Sequence, residues 1–189
     1  MQNHTDLKIR LATPNDAREL LAIYAPYVEQ TAISLELTPP TLGEFTGRIQ
    51  NALQKYPYFV AEYNGEIVGY AYAGPFHPRA AFAWSAEGSI YLKRTARGLG
   101  IGKALYAKLE QALREMGIVN LYASIADPDV EDEYLTRDSE RFHEKMGYTK
   151  VAAFHRCGFK FNRWYNLIWM EKIIGEHTNH HLPITPYTA

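Results

Sequence analysis

Apolar and polar positions change period several times along the chain, and each change predicts an element. Residues 7–12 read as a strand. Thr13-Pro14-Asn15-Asp16 follows, in which Thr13 suits a helix cap and Pro14 a first helical position, and Ala17, Leu20, Leu21 and Tyr24 then recur with helical spacing. Beyond Thr38-Pro39-Pro40-Thr41, the spacing of Phe45, Ile49 and Leu53 predicts a second amphipathic helix over 42–55, which Pro57 ends. Residues 58–63 and 67–73 are two runs of strand formers joined by Asn64-Gly65, a dipeptide that accepts the positive φ angles of a tight hairpin turn. Gly74-Pro75 is expected to break the second of these strands. An irregular segment over 78–81 and a further strand over 84–92 follow.

In the second half, 97–102 reads as a glycine-rich loop opening onto a helix over 103–116 that Gly117 stops. A buried strand over 119–126, a polar acidic stretch over 127–138 and a helix over 139–146 ended by Gly147 come next. Two strands, 149–159 and 164–170, complete the pattern. No internal repeat is visible. The expected organisation is one domain over 1–174 and an extended or disordered tail over 175–189, whose His177, His180, His181, Pro183 and Pro186 differ in character from the rest.

Composition fits that reading. A chain of 189 residues and 21.6 kDa corresponds to one domain, and 47% hydrophobic residues with 14 Tyr, 8 Phe and 3 Trp supply a sizeable core. A formal net charge of −1 leaves no field of one sign for nucleic acid or an anionic membrane, so neither is an expected partner. The apolar runs are too short for a bilayer helix, and the first ten residues are too polar for a signal peptide. With Cys157 as the single cysteine, the expectation is a soluble protein of a reducing, cytoplasmic compartment.

The chemistry centres on Arg97-Gly98-Leu99-Gly100-Ile101-Gly102-Lys103. A Walker loop needs glycine where Arg97 stands and Ser or Thr where Ala104 stands. A dinucleotide fingerprint lacks its third glycine and its opening strand-loop-helix unit. What remains is Arg-x-x-Gly-x-Gly between a strand and a helix, a spacing that lets backbone N–H groups converge on a pyrophosphate. The same glycines also serve a plain tight turn, and the spacing alone leaves both readings open.

From Ile9 to Met170 the chain resembles the GNAT superfamily of N-acetyltransferases, and within it the phosphinothricin acetyltransferase group. The features that carry the resemblance are the strand-helix-helix-hairpin start, Tyr70-Ala71-Tyr72-Ala73-Gly74-Pro75-Phe76, the run from Trp84 to Leu92, the loop from Arg97 to Gly102, Phe142-His143-Glu144-Lys145-Met146-Gly147-Tyr148, and Gly158-Phe159-Lys160-Phe161 before Arg163-Trp164. The resemblance implies an α+β fold, with a central mixed, mostly antiparallel twisted sheet flanked by helices. It also implies acetyl-CoA as co-substrate with no metal, held by main-chain groups of Ile90, Tyr91 and Leu92 and by the loop Arg97, Gly98, Leu99, Gly100, Ile101, Gly102 and Lys103 at the pyrophosphate. Ser139 and Lys145 are further contacts, and a homodimer is implied.

Acetyl transfer needs an unprotonated amine, and amines are largely protonated at neutral pH. The resemblance puts a carboxylate base at Glu87, against which stands a salt-bridged structural glutamate. His143 fits three roles: acid toward the thiolate, second base, or local hydrogen bonding. Tyr148 reads as core. An amino-acid-like acceptor, of the phosphinothricin or methionine sulfoximine type, would meet Arg79 through its carboxylate and apolar walls from Phe82 and Trp84, with Leu35 and Trp164 closing the pocket. A polyamine, an aminoglycoside or a protein N-terminus as acceptor, a non-catalytic acyl-CoA sensor, and a generic nucleotide-binding protein that prefers ATP or NAD to coenzyme A are the alternatives. Two features depart from the group: the long acidic stretch 127–138, read as a solvated loop, and Thr136 where asparagine is common.

Overall fold

The computed structural model describes residues 7–187; the first six positions of the expected domain and the last two of the expected tail lie outside the described residues. The elements run β1 (Leu7–Leu11), α1 (Ala17–Gln30), α2 (Leu42–Leu53), β2 (Tyr58–Tyr63), β3 (Glu66–Pro75), β4 (Ser85–Leu92), α3 (Ile101–Met116), β5 (Asn120–Asp127), α4 (Asp138–Lys145), β6 (Thr149–Lys160) and β7 (Arg163–Ile173), with short 3₁₀ turns before α1 and on either side of β4. One sheet of seven strands forms in the order β1-β2-β3-β4-β5-β7-β6. All neighbours are antiparallel except β4 and β5.

The helices α1, α2 and α3 cover the sheet with their apolar faces. The α1 positions Leu20, Ile23, Tyr24, Tyr27 and Val28 pack with Phe45 and Ile49 of α2 on one face of β2 and β3. Thr41 and Glu44 close a capping box at the start of α2: Thr41 N donates to Glu44 Oε2 at 2.7 Å, and Glu44 N donates to Thr41 Oγ1 at 3.3 Å. On the opposite face, Leu105, Tyr106, Leu109, Leu113 and Met116 of α3 meet Ala71, Ala73, Ala86 and Leu121. Asn64 (φ 52°) and Gly65 (φ 82°) make the expected hairpin turn between β2 and β3.

Gly74-Pro75 does not break β3, contrary to the sequence expectation. Ala73 N donates to Pro57 O, so the nitrogen of Pro75, two residues on, faces the same side beyond the start of β2. There the ladder needs no N–H, and Pro75 still pairs with Ala86 on its other side. Residues 175–187 form no helix or strand but lie against the domain. Trp84 Nε1 donates to Leu182 O at 2.9 Å, Thr185 N to Met116 O at 2.9 Å and Tyr187 N to Lys55 O at 2.9 Å.

Candidate active site

The sheet opens at one place. β4 and β5 pair only at Ser85–Asn120, Ala86–Leu121 and Glu87–Tyr122. Both strands continue, β4 along β3 to Leu92 and β5 along β7 to Asp127, so they part beyond Glu87 with each still held on its outer side. Trp84 O accepts from the N–H groups of Val119 and Asn120, which puts the main chain of Ala86, Gly88 and Ile90 on that same side by two-residue alternation. Past the last pair, Gly88 and Ile90 therefore turn main-chain groups toward the gap. Leu92 O is accounted for, since the Tyr27 hydroxyl donates to it at 2.5 Å. The gap is a small cleft of about 60 Å³. Ile90, Tyr91 and Ser89 line it from β4, Ser124 from β5, and Ser139 and His143 from α4.

At the outer end of β4 the chain enters α3 through Gly98 (φ 79°) and Gly100 (φ 77°), left-handed conformations that glycine adopts without Cβ strain. Gly100 is the cap, so α3 begins two residues before the predicted start. Its first helical bond runs from Ala104 N to Gly100 O, leaving the N–H groups of Ile101, Gly102 and Lys103 outside the helical ladder. Gly102 has a packing reason as well: a Cβ there would stand 3.3 Å from the Phe142 ring of α4. Arg97, Leu99 and Lys103 are exposed around this turn, with Arg97 3.9 Å from Asp138. Unpaired strand main chain leading to a cationic helix start suits an extended, amide-containing ligand that ends in phosphates.

Glu87 occupies the last paired position, at the fork. It is half-buried, makes no hydrogen bond or ion pair among the described residues, and burial pushes its carboxyl above the ordinary 4.5. Its cross-strand neighbour in β3 is Gly74, where nothing lies within 4 Å of a Cβ position, so open space adjoins the carboxylate. Its other neighbour, Tyr122, begins an aromatic wall: the Phe76 ring stacks on Tyr122 at 4.2 Å and meets Trp169 edge-on at 5.3 Å. Phe82 extends this wall, 5.9 Å from Phe76.

His143 lies on the α4 side of the cleft, buried at 3% exposure, with burial lowering its pKa below 6.5 against the opposing effect of Ser139 O. Both ring nitrogens are engaged: Nδ1 with Ser139 O at 2.7 Å and Nε2 with the Tyr106 hydroxyl at 2.9 Å. Tyr106 itself lines the cleft.

Other predicted residues stand farther out. Arg79 and Lys145 are exposed and line none of the clefts described here. Trp84 is not in the cleft; the tail covers it, with His181 5.6 Å from its ring. Leu35 packs over Gly158, where a Cβ would come within 2.8 Å of it. Trp164 is 57% exposed beside Phe159. The sequence reading missed Tyr106, Phe76, Tyr122 and Trp169, whose apolar character at core spacing hides any role. It also missed what Lys160 does: its buried ammonium donates to Val28 O at 2.6 Å and Ser34 O at 2.7 Å, pinning the loop after α1.

The acidic stretch is paired rather than freely solvated. Arg137 reaches Asp127 at 3.1 Å, Arg163 reaches Asp132 at 2.6 Å and Glu133 at 3.0 Å, and Asp129 accepts from Asn166 at 2.9 Å. Among the described residues no group of three His, Cys, Asp or Glu side chains is placed to hold a metal ion, and no helix is long and apolar enough to cross a membrane.

Comparison with known proteins bears on this arrangement. The chain is 30% identical over 161 residues to a phosphinothricin N-acetyltransferase of Streptomyces viridochromogenes, covering 85% of this chain and 84% of the relative. Among solved structures, a GNAT superfamily phosphinothricin acetyltransferase from Sinorhizobium meliloti in complex with AcCoA superposes with a TM-score of 0.84 at 31% identity, over 97% of this chain and 99% of that one. A ribosomal-protein-alanine N-acetyltransferase from Brucella melitensis gives 0.80 at 36% identity, over 88% and 99%. The family model for the acetyltransferase (GNAT) domain matches residues 9–169, nearly the whole span of the forked sheet and its helices, and the chain belongs to that family of acetyltransferases.

Proposed function

We propose that the protein moves the acetyl group of acetyl-CoA to the primary amine of a small amino-acid-like acceptor of the phosphinothricin or methionine sulfoximine type. The observation that carries this reading is Glu87: a half-buried carboxylate with no partner, at the fork of β4 and β5, beside the space left by Gly74. A structural glutamate at that depth would be paired. Unpaired and with a raised pKa, Glu87 suits the removal of a proton from an ammonium group.

The main-chain groups that Gly88 and Ile90 turn into the gap and the turn from Arg97 to Lys103 would hold acetyl-CoA, with Ser139 inside the cleft and Lys145 toward solvent; the main chain of Tyr91 faces β3 and Leu92 O already accepts from Tyr27, so neither takes the part the resemblance gave it. When bound, acetyl-CoA supplies an acetyl thioester at the fork. The walls Phe76, Phe82, Tyr122 and Trp169 suit the apolar body of an amino acid, and Arg79, next to the turn that carries Phe82, would receive its carboxylate. The exposed apolar residues of the last two strands, Val151, Phe154 and Phe159 on β6 and Trp164 on β7, suit a second copy in a homodimer. The chain's single cysteine accords with the cytoplasm.

A second reading has a specific motive. The similarity to a ribosomal-protein-alanine N-acetyltransferase points to a protein N-terminus as acceptor. Coenzyme A release measured against phosphinothricin, methionine sulfoximine, ordinary amino acids and a peptide with N-terminal alanine separates the two. Saturable turnover with the first two is expected. Turnover confined to the peptide would replace the amino-acid reading, and binding of acetyl-CoA with no turnover on any amine would sink both.

A further inference from the structure

A second cavity, of about 500 Å³, lies on the β3 side of Glu87, away from the aromatic wall that begins at Tyr122. Partners across an antiparallel ladder share a face, so Glu87 projects on the same face as Gly74, and Gly74 lines this cavity. One wall is a stack of phenol rings, in which Tyr58 lies 4.8 Å from Tyr72 and 5.6 Å from Tyr70. The facing wall is a polar stripe of α2 and the turn after it, with Arg48, Asn51 and Lys55. From Gly74 to Tyr70 the cavity follows roughly 13 Å of strand.

Two features mark it as a ligand site. Tyr58 and Tyr70 are 3% and 1% exposed, and neither hydroxyl has a hydrogen-bond partner among the described residues. Buried hydroxyls normally keep a partner, and both of these residues line the cavity, where an occupant must supply it. The second feature is charge: the ionic side chains of the lining are Arg48 and Lys55, with no carboxylate beside them. Glu36 accepts from Arg48 Nη1 at 2.6 Å, which leaves Nε and Nη2 without a partner among the described residues. Burial raises the Tyr72 phenol, and it also feels Glu87, which raises it, and Arg48, which lowers it, so Tyr72 stands within reach of both.

We propose that this cavity is a side-chain subsite of the acceptor and takes an aromatic ring that ends in an anionic group. The inference rests on the acetyl-transfer reading given above and extends it to a larger class of amino acid. With the amine at Glu87 and the α-carboxylate toward Arg79, a side chain passes Gly74, where no Cβ stands in its way. An aryl ring then packs among Tyr58, Tyr70 and Tyr72, and an acidic group at its far end meets Arg48 and Lys55, with the two unmet hydroxyls donating to its oxygens. A volume of about 500 Å³ is in the range that encloses a whole small ligand, more than the side chain of a methionine-sized acceptor fills. The same two cations disfavour a side chain with a cationic end.

The test is coenzyme A release from acetyl-CoA with phenylalanine, 4-carboxyphenylalanine, 4-(aminomethyl)phenylalanine and methionine sulfoximine as acceptors, for wild type, Arg48→Met and Lys55→Met. In wild type, kcat/KM for the carboxy compound should exceed that for phenylalanine about tenfold and that for the cationic compound about 10²-fold, the size expected of hydrogen bonds to a charged group. Arg48→Met and Lys55→Met should each cut the ratio of carboxyphenylalanine to phenylalanine about fivefold, through KM, because the reacting atoms lie at the other end of the acceptor. Both side chains reach solvent, and a ratio taken within one protein is indifferent to any loss of folded material. Wild type that acetylates methionine sulfoximine but treats the three aromatic acceptors alike, or acetylates none of them, overturns the subsite and leaves acetyl transfer standing. A preference for the carboxy compound that survives undiminished in both variants also overturns it. Wild-type protein that binds acetyl-CoA yet acetylates no amine overturns both.

Discussion

Two carboxylates, 23 positions apart in the chain, are withdrawn from water in opposite ways. Glu110, on α3, is 4% exposed and is met by Lys172 Nζ at 2.7 and 2.8 Å and by Arg114 at 3.4 Å. Glu87, on β4, is half-buried and has neither an ion pair nor a hydrogen bond among the described residues. A buried charge normally keeps partners, because desolvation without compensation costs several kcal/mol. Glu110 follows that rule and ties α3 to β7. Glu87 breaks it at the one fork in the sheet, so the fold tolerates a charge that contributes nothing to its own stability.

The largest effect that would sharpen this contrast is on turnover. Glu87→Gln keeps shape and volume but removes the base, and kcat should fall by about 10²- to 10⁴-fold, on the order of 3–5 kcal/mol of barrier. Thermal stability at pH 7 should stay level or rise, since the amide is cheaper to bury than the unpaired carboxylate. A Glu87→Gln protein that turns over normally but melts early would assign Glu87 to structure. Glu110→Gln should behave in the opposite manner. It leaves the Lys172 ammonium against a neutral group, costs about 3 kcal/mol and lowers Tm by roughly 6–12 °C for a chain of this size. Its kcat per folded molecule should remain within about threefold of wild type, measured by coenzyme A release beside calorimetry.

What the sequence made legible was local. The Asn64-Gly65 turn, the stop at Gly117 (φ 92°) and the apolar spacing of α1 and α3 are fixed by residues within a few positions of one another. The strand through Gly74-Pro75 was not legible, because whether a missing N–H matters depends on where β2 begins, which is a tertiary fact. The same holds at the site. The glycine-rich turn and Glu87 carry motif signals, whereas Tyr106 differs in no local way from a core tyrosine, and only the approach of α4 to α3 gives its hydroxyl a partner in His143. The cover over Trp84 was hidden for a related reason: the tail that lies on it arrives from about a hundred residues away.

The smallest predicted effect separates the two sides of the cleft by pH. His143 is held below 6.5 by burial, so below 6.5 and above its folded-state value the unfolded chain binds more protons than the folded one, and stability must fall as the solution is acidified through that window. Glu87 is shifted the other way. Its raised value means that between 4.5 and the folded-state pKa the folded chain binds more protons, so its contribution is lost as pH rises. Asp16, held low mainly by its hydrogen bond to Arg10, matters only below 3.8, outside both windows. Melting curves from pH 7 to pH 5 should therefore show wild type losing more stability than His143→Gln, while the advantage of Glu87→Gln over wild type, present at pH 7, shrinks as the pH approaches 4.5. Parallel curves for wild type and His143→Gln would mean that His143 takes up its proton in the folded protein as readily as in the unfolded chain. That outcome is incompatible with a buried imidazole enclosed between Ser139 and Tyr106, and it would leave Glu87 as the one group of the cleft whose burial shows in the stability of the fold.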